Sequence, residues 1–218
     1  MKKSILLLGY NFYPEPTGIG KYSGEQIEWL AQNGYDCTVV ASYPYYPFWK
    51  VQEPYYHERL WYKTEVKHFK SGGKITTHRC PMYIPQNPSG MKRVLLDFSF
   101  FVAAFFKLLY LLPGKKYDFV ITILPSVSLG LLGMFYKKLR GAKLICHVHD
   151  LQIEAARDLK MIKSELMINM LFRFEKFIFD NCDVITCVGE GMARKVEEKA
   201  RKDVFLFFNT TDLNLFCP

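Results

Sequence analysis

The chain has 218 residues, of which 50% are hydrophobic and 23% are charged, and its formal net charge is +8 at pH 7. This length and apolar content exclude a disordered or low-complexity chain and suit one α/β domain or two small ones. The excess of 29 Lys and Arg over 21 Asp and Glu favours anionic partners, without choosing among phosphorylated ligands, anionic lipid surfaces and nucleic acid.

The first predicted element is a strand at 4–9. This apolar run is too short for the core of a signal peptide and is followed by Asn11 and Pro14. We therefore expect a cytoplasmic chain that begins with a β-strand.

Short apolar strands and helices alternate along the rest of the chain. Further strands are predicted at 37–42, 75–80, 119–124, 143–148, 184–188 and 204–208. Helices are predicted at 19–32, 91–112, 127–139, 163–180 and 191–200. The alternation predicts a doubly wound α/β fold, with about seven mostly parallel strands, in one domain over residues 1–208.

The loop after the first strand ends with Gly18 and Gly20 at the start of a helix. Glycines let the backbone approach a ligand, and the helix N-terminus offers free N–H groups to an anion. Gly18, Ile19, Gly20 and Lys21 are therefore candidates for binding phosphate or carboxylate. A dinucleotide site is disfavoured because the glycines follow the strand by about nine residues, and no P-loop motif is present.

Two segments admit more than one interpretation. Segment 43–73 is rich in aromatic residues and prolines, and it is either a lid or ligand-binding loop or a self-packed excursion. Segment 94–112 is apolar and flanked by basic pairs at 92–93 and 115–116. It is a helix packed on the sheet, an interfacial helix or a membrane span, and Asp97 and Lys107 disfavour the span.

A polar cluster is predicted at the end of the strand at 143–148. Strand alternation puts His147 and His149 on one face, and Asp150 and Glu154 follow. Two His at i and i+2 without a third ligand give weak support for a metal site, and we predict none. A hydrogen-bonding or acid/base cluster is favoured, with satisfied structural groups as the alternative.

Two further strand ends run into helices. Ser126 precedes one predicted helix and is expected to cap it or to contact a ligand, with the cap as the preferred role. Glu190 precedes another helix, where a carboxylate is favourable without any function.

Six cysteines are spread along the chain, with no Cys-x-x-Cys pair and no zinc-finger spacing. Cys37 and Cys146 fall within predicted strands, where a thiol behaves as a small apolar side chain. A cytoplasmic chain is therefore expected to keep its cysteines reduced.

Several segments match one known family in order and spacing. They are 13–22, 24–30, 44–47, 79–85, 88–90, 141–143 and 147–152. Together they resemble the first half of family 4 glycosyltransferases, with most similarity to the colanic-acid type of bacterial exopolysaccharide and capsule enzymes. Segment 147–152 is similar to that subgroup's His-x-Gln-Asp-Leu, with His149 at the position of Gln.

The resemblance implies a retaining transferase of the GT-B type, with two Rossmann-like domains across a cleft, no metal and no cofactor. The first domain would hold the acceptor, and the second would hold the nucleotide-sugar. His147, His149 and Asp150 would act at the cleft floor by positioning and polarisation. The implied substrate-binding residues are Gly18, Ile19, Gly20, Lys21, Tyr45, Tyr46, Ser126, Glu154 and Glu190.

The segment 209–218 resembles the start of the family's passage into the second domain, and the nucleotide-sugar domain is not among these residues. We therefore expect residues 1–218 alone to be inactive. The implied acceptor is a lipid-diphosphate-linked saccharide at the inner face of the cell membrane, where the protein would be peripheral. The alternative is a non-catalytic subunit of a split transferase. Nucleic acid is not an expected partner, because the basic residues are scattered.

Overall fold

A computed structural model describes residues 2–124, 126–162 and 164–209 of the chain. The strands are β1 Ser4–Leu8, β2 Asp36–Ser42, β3 Lys63–His68, β4 Lys74–Cys80, β5 Phe119–Leu124, β6 Lys143–Val148, β7 Val184–Cys187 and β8 Val204–Leu206. The helices are α1 Gly18–Gln32, α2 Gly90–Leu111, α3 Val127–Arg140, α4 Gln152–Asp158, α5 Glu165–Asn181 and α6 Glu190–Ala200.

The eight strands form one sheet in the order β3-β4-β2-β1-β5-β6-β7-β8, in which only the β3–β4 pair is antiparallel. The prediction of a doubly wound, mostly parallel sheet is confirmed, with one strand more than expected. After β1, the strands β2, β3 and β4 are added on one side of β1. The chain then crosses over, and β5 to β8 are added on the other side. The loops after β1 and β5 therefore diverge, which opens a crevice at the carboxyl edge of the sheet.

The central strand β1 is buried on both faces. Leu6 and Leu8 belong to the core beneath α2 and α3, whereas Ile5 and Leu7 belong to the core beneath α1. An apolar strand covered on both sides is the usual centre of a parallel sheet. This packing fixes the start of the loop that follows β1.

The strand β3 is missing from the predicted elements and lies inside the aromatic segment 43–73. It is an edge strand with a mostly exposed, charged sequence, so it carries no apolar pattern. The first part of that segment packs on itself, with Tyr43, Tyr45 and Val51 buried against Leu96. The short helix α4 is also missing from the prediction.

Cys146 and Cys182 form a disulfide that joins β6 to the residue after α5. The expectation of reduced thiols is wrong for this pair. The two cysteines are 36 residues apart in the sequence, so their proximity in the fold could not be predicted from local spacing. Cys37, Cys80 and Cys187 are free and buried, as expected. Cys217 lies outside the described residues.

The long helix α2 packs on the sheet by one face only. Leu96, Phe100, Ala104 and Leu108 are buried in the core, while only 28% of the most apolar 18-residue window of the helix is buried. By length and composition, α2 is the one helix in the described ranges that could cross a membrane. Segment 94–112 is therefore a helix packed on the sheet by one face, with its other face exposed.

Candidate functional site

A cavity of about 420 Å³ lies at the crevice at the carboxyl edge of the sheet. Its walls are the loop after β1, the first turns of α1, the segment 45–49, the first turns of α2 and the loop after β6. Asn209, the last described residue, completes the lining. A polar cavity at the topological switch point is the usual location of a ligand site in this fold.

The two glycines of the first loop have different structural roles. Gly18 has φ +65°, a backbone conformation that favours glycine. A Cβ there would lie 3.5 Å from the Tyr46 ring. A Cβ on Gly20 would lie 2.2 Å from the Oε2 atom of Glu15. Gly18 therefore lines the cavity, whereas Gly20 lets α1 pack directly on Glu15.

Glu15 is a buried carboxyl group that connects two walls of the cavity. Its Oε1 atom accepts hydrogen bonds from the backbone N–H groups of Tyr45 and Tyr46 at 3.2 and 3.1 Å. Asn11 Nδ2 donates to both carboxyl oxygens. Burial outweighs these bonds and raises the pKa of Glu15 from 4.5 to about 7. The Glu15 side chain thus holds the aromatic segment beside the loop after β1.

Arg79, at 2% exposure, is a second anchor of the same loop. Its guanidinium donates to the carbonyl of Tyr13 and, at 3.2 Å, to the carbonyl of Ser42. It also pairs with Glu65 at 3.1 Å. A buried cation with these partners fixes the loop to β2, β3 and β4.

The two histidines at the end of β6 form a neutral pair. The ring of His147 is buried, its Nδ1 atom lies 2.7 Å from Thr186 Oγ1, and its centroid lies 4.4 Å from that of His149. Burial lowers the pKa of His147 to about 3 and that of His149 to about 4. His149 lines the cavity, and its buried Nε2 atom has no hydrogen-bond partner in the described part of the chain.

The wall formed by α2 contributes Asp97 and Arg93. Burial raises the pKa of Asp97 from 3.8 to about 6, and a hydrogen bond from Ser126 lowers it in part. The guanidinium of Arg93 lies 5.3 Å from the centre of the Trp49 ring. The cavity therefore combines aromatic rings with a carboxyl group, a guanidinium and an imidazole, a mixture suited to a polyhydroxylated or phosphorylated ligand.

Six of the predicted site residues line the cavity: Gly18, Ile19, Tyr45, Tyr46, His149 and Asp150. His147 lies behind His149, and Gly20 lies against Glu15. Lys21 does not line the cavity, and its ammonium lies 3.9 Å from Glu25. Glu190 is also outside, exposed at the start of α6 and 4.0 Å from Arg194.

Ser126 and Glu154 are buried and do not line the cavity. Ser126 makes no side-chain cap on α3, contrary to the expectation, and its Oγ lies 3.0 Å from that of Ser128. Glu154 contacts the ammonium of Lys199, which also pairs with Glu175 at 2.7 Å. These ion pairs fasten α4 to α5 and α6, and so hold the loop after β6 in place.

The cavity and support residues that were not predicted include Glu15, Arg79, Trp49, Arg93 and Asp97. Asp97 could have been identified from the sequence, because a single carboxyl group within an apolar helix is rare and indicates a specific partner or function. Glu15 could not, since its partners are the backbone of residues 30 positions away. In ranges 2–124, 126–162 and 164–209, no group of three or more His, Cys, Asp or Glu could hold a metal ion.

Residues 17–204 match a family model described as a glycosyl transferase 4-like domain. Over 217 residues the chain is 35% identical to a protein of Escherichia coli K12 named as a putative colanic acid biosynthesis glycosyl transferase, WcaI, and the match covers 97% of this chain and 51% of that protein.

Solved structures show the same fold. Sucrose-phosphate synthase from Thermosynechococcus elongatus aligns at a TM-score of 0.66 with 17% identity, covering 100% of this chain and 50% of that one. The catalytic domain of starch synthase IV from Arabidopsis thaliana aligns at 0.64 with 14% identity, covering 100% and 54%. The chain thus spans about half the length of the proteins it matches.

Proposed function

This chain belongs to the glycosyl transferase 4-like family, and we propose that it is the acceptor-binding half of a retaining glycosyltransferase. The enzyme would transfer a sugar from a nucleotide-sugar to a lipid-diphosphate-linked saccharide in bacterial exopolysaccharide or capsule synthesis. The observation that carries the proposal is the cavity, which is lined by His149, Asp97, Asp150 and aromatic rings.

The chemistry of the cavity supports binding of a saccharide. At neutral pH the imidazole of His149 is uncharged because its pKa lies near 4, so it can donate or accept one hydrogen bond to a sugar hydroxyl. Asp97 and Asp150 add hydrogen-bond acceptors, and Tyr45 and Tyr46 add aromatic surface. We assign these groups to orientation and polarisation of the reacting sugars, and no covalent intermediate is invoked.

The start of α1 is proposed to face the diphosphate of the nucleotide-sugar. Gly18 and Ile19 line the cavity there, and the first N–H groups of a helix have no partner within the helix. Hydrogen bonds from such groups would stabilise the negative charge of the leaving diphosphate. A role for Lys21 would require its ammonium to leave Glu25. No metal ion or cofactor is part of the proposal.

About half of each matched protein lies beyond the length of this chain. We propose that the second half of the enzyme holds most of the nucleotide-sugar, and that residues 1–218 by themselves transfer no sugar. The proposed location is the cytoplasmic face of the inner membrane, where a lipid-linked acceptor and a nucleotide-sugar can meet.

The test is an assay of sugar transfer to bacterial lipid extract, with a panel of radiolabelled UDP-, GDP- and dTDP-sugars. The full-length gene product should label a lipid fraction with one of these donors, and residues 1–218 should not. His149→Ala in the full-length protein should lower transfer by about 100-fold. The matched control is His57→Ala, since the side chain of His57 is 83% exposed.

Two outcomes would count against the proposal. Transfer by residues 1–218 alone would overturn the division into two halves. A full-length protein that binds the lipid extract and transfers none of the sugars would favour a non-catalytic subunit instead.

A further inference from the structure

The outer side of α2 carries an uninterrupted apolar stripe. Met91, Leu95, Phe98, Val102, Phe106 and Leu109 recur at intervals of three or four residues, and all six are exposed. Phe98 and Phe106 are 63% and 59% exposed. We call these six residues the α2 stripe. Contiguous exposed apolar surface of this kind marks an interaction site on a soluble domain.

Aromatic residues from two other segments extend the α2 stripe sideways. The Tyr62 hydroxyl donates to the carbonyl of Ala103 in α2 at 3.0 Å, which fixes the exposed Trp61–Tyr62 pair beside the helix. The backbone N–H of Tyr83 donates to Ser99 Oγ at 2.9 Å. Trp and Tyr side chains are enriched where a protein meets the boundary between lipid and water.

Both ends of α2 are basic. Lys92 and Arg93 occupy its first turn, and Lys115 and Lys116 follow its C-terminal end. This distribution disfavours a second copy of the chain as the partner, because either orientation of two stacked α2 helices brings like charges together. An anionic surface meets both basic ends at once.

We propose that the α2 stripe binds the surface of an anionic lipid bilayer, with α2 lying parallel to the membrane plane. The helix cannot cross the bilayer in this fold, because Leu96, Phe100 and Leu108 on its other side are buried in the core of the sheet. Only the outer side is free to enter the lipid, which is the arrangement of an interfacial amphipathic helix.

The bilayer surface would lie next to the cavity. Arg93, Leu96 and Asp97, in the first two turns of α2, line the cavity, while Met91 and Leu95 of the same turns belong to the α2 stripe. A lipid-linked saccharide could therefore keep its lipid in the membrane and place its sugar in the cavity. This consequence rests on the proposed function, whereas the binding of α2 to lipid does not.

The first experiment is vesicle flotation of residues 1–218 in the absence of any sugar. The chain should float with vesicles that contain phosphatidylglycerol and stay behind with pure phosphatidylcholine at high salt. The double variant Phe98→Ser/Phe106→Ser should lower the partition coefficient by about 100-fold. The matched control is Leu166→Ser/Phe177→Ser, which removes exposed apolar groups from α5 and should change partition by less than about twofold.

The charge component is tested separately. Lys92→Ala/Lys116→Ala should weaken binding to anionic vesicles about tenfold or more at low salt, with a smaller effect at high salt. Lys138→Ala/Lys195→Ala lowers the net charge equally at exposed lysines of α3 and α6 and should weaken binding much less.

A second measurement avoids disruptive substitutions. Lipids brominated on their acyl chains should quench the tryptophan fluorescence of the Phe106→Trp variant more than that of the unsubstituted chain. The Phe177→Trp variant should show no additional quenching. Equal quenching of the two variants would overturn the proposal, as would failure of the unsubstituted chain to float. A concentration-dependent dimer without vesicle binding would assign the α2 stripe to a second copy. Sugar transfer to a soluble acceptor, measured independently, would leave the proposed function intact in either case.

Discussion

At the scale of single residues, the buried carboxyl group of Glu15 determines how the cavity walls are joined. It satisfies two backbone N–H groups of the aromatic segment and the amide of Asn11. Only 3% of the Glu15 surface is exposed, so its charged form loses solvation by water, and this loss outweighs the hydrogen bonds. The carboxyl group therefore stabilises the loop most strongly when it is protonated.

The pH dependence of stability follows from the pKa of Glu15, which burial raises from 4.5 to about 7. The folded chain then holds this proton more tightly than the unfolded chain, so the contribution of Glu15 is greatest below pH 4.5 and declines as the pH rises to about 7. Glu15→Gln removes this titration. The free energies of unfolding of the variant and of the unsubstituted chain can be measured in urea. The variant value minus the unsubstituted value should increase by about 2.5 kcal/mol from pH 5 to pH 8.

The control for this prediction is Glu198→Gln, at an exposed residue of α6. Its difference in stability from the unsubstituted chain should be the same at both pH values. A Glu15→Gln variant that behaves like this control would show that Glu15 titrates as an ordinary surface carboxyl group.

The histidine pair gives a second prediction at this scale. Because burial lowers the pKa of His147 to about 3 and of His149 to about 4, neither ring should protonate between pH 5 and pH 8. Both should titrate near 6.5 in the urea-unfolded chain. Their contribution to stability is complete above pH 6.5 and is lost as the pH falls to the pKa values of the folded chain, about 4 for His149 and about 3 for His147. NMR of the imidazole nitrogens measures this, and a titration near 6.5 in the folded chain would contradict it.

The sequence predicts these residues unequally. His149 and Asp150 follow a strong apolar strand, and the carboxyl ends of parallel strands line the ligand crevice, so their location in the cavity could be predicted. Glu15 and Arg79 act on backbone groups that are close only in the folded chain. No local pattern marks such partners, and neither residue could therefore be identified from the sequence.

At the scale of elements, α1 is held against the first loop by a contact that requires a glycine. A methyl group on Gly20 would overlap the Glu15 side chain, so Gly20→Ala should lower the free energy of unfolding by about 1–3 kcal/mol. A methyl group on Gly191 in α6 would meet no atom within 4 Å, and Gly191→Ala should raise stability by about 0.5–1 kcal/mol. Urea denaturation of both variants measures the contrast, and a shared sign would contradict it.

The elements that the sequence predicts best are those whose pattern comes from burial. β5 and β6 have the predicted bounds, because each is an apolar run between breakers. β3 alternates Lys, Glu and Lys with Thr, Val and His at the edge of the sheet, and α4 has only seven residues. Tertiary contacts, rather than local apolar pattern, determine these two elements.

At the scale of the whole molecule, the order of the strands determines where the cavity lies. The docking of α2 on the sheet determines which of its residues form the exposed α2 stripe. The crossover from β4 to β5 creates the crevice at the carboxyl edge of the sheet, and this could be expected from the alternation of strands and helices. The burial of α2 could not be predicted from the sequence, because apolar residues occur on all sides of the helix. Only the docking of one face on the sheet shows which side remains exposed.

We propose that the cavity binds the acceptor, while the other half of the enzyme binds most of the nucleotide-sugar. Asp97 tests this division because it lines the cavity from α2 and is held at a raised pKa by burial. The Michaelis constants of the two substrates can be measured separately in the full-length enzyme with Asp97→Asn. Asp203→Asn, at an exposed residue, is the matched control.

The most direct measurement is therefore the pair of Michaelis constants for Asp97→Asn. We expect the constant for the lipid-linked acceptor to rise about tenfold and that for the nucleotide-sugar to change less than about twofold. A rise in the constant for the nucleotide-sugar, with that for the acceptor unchanged, would contradict it.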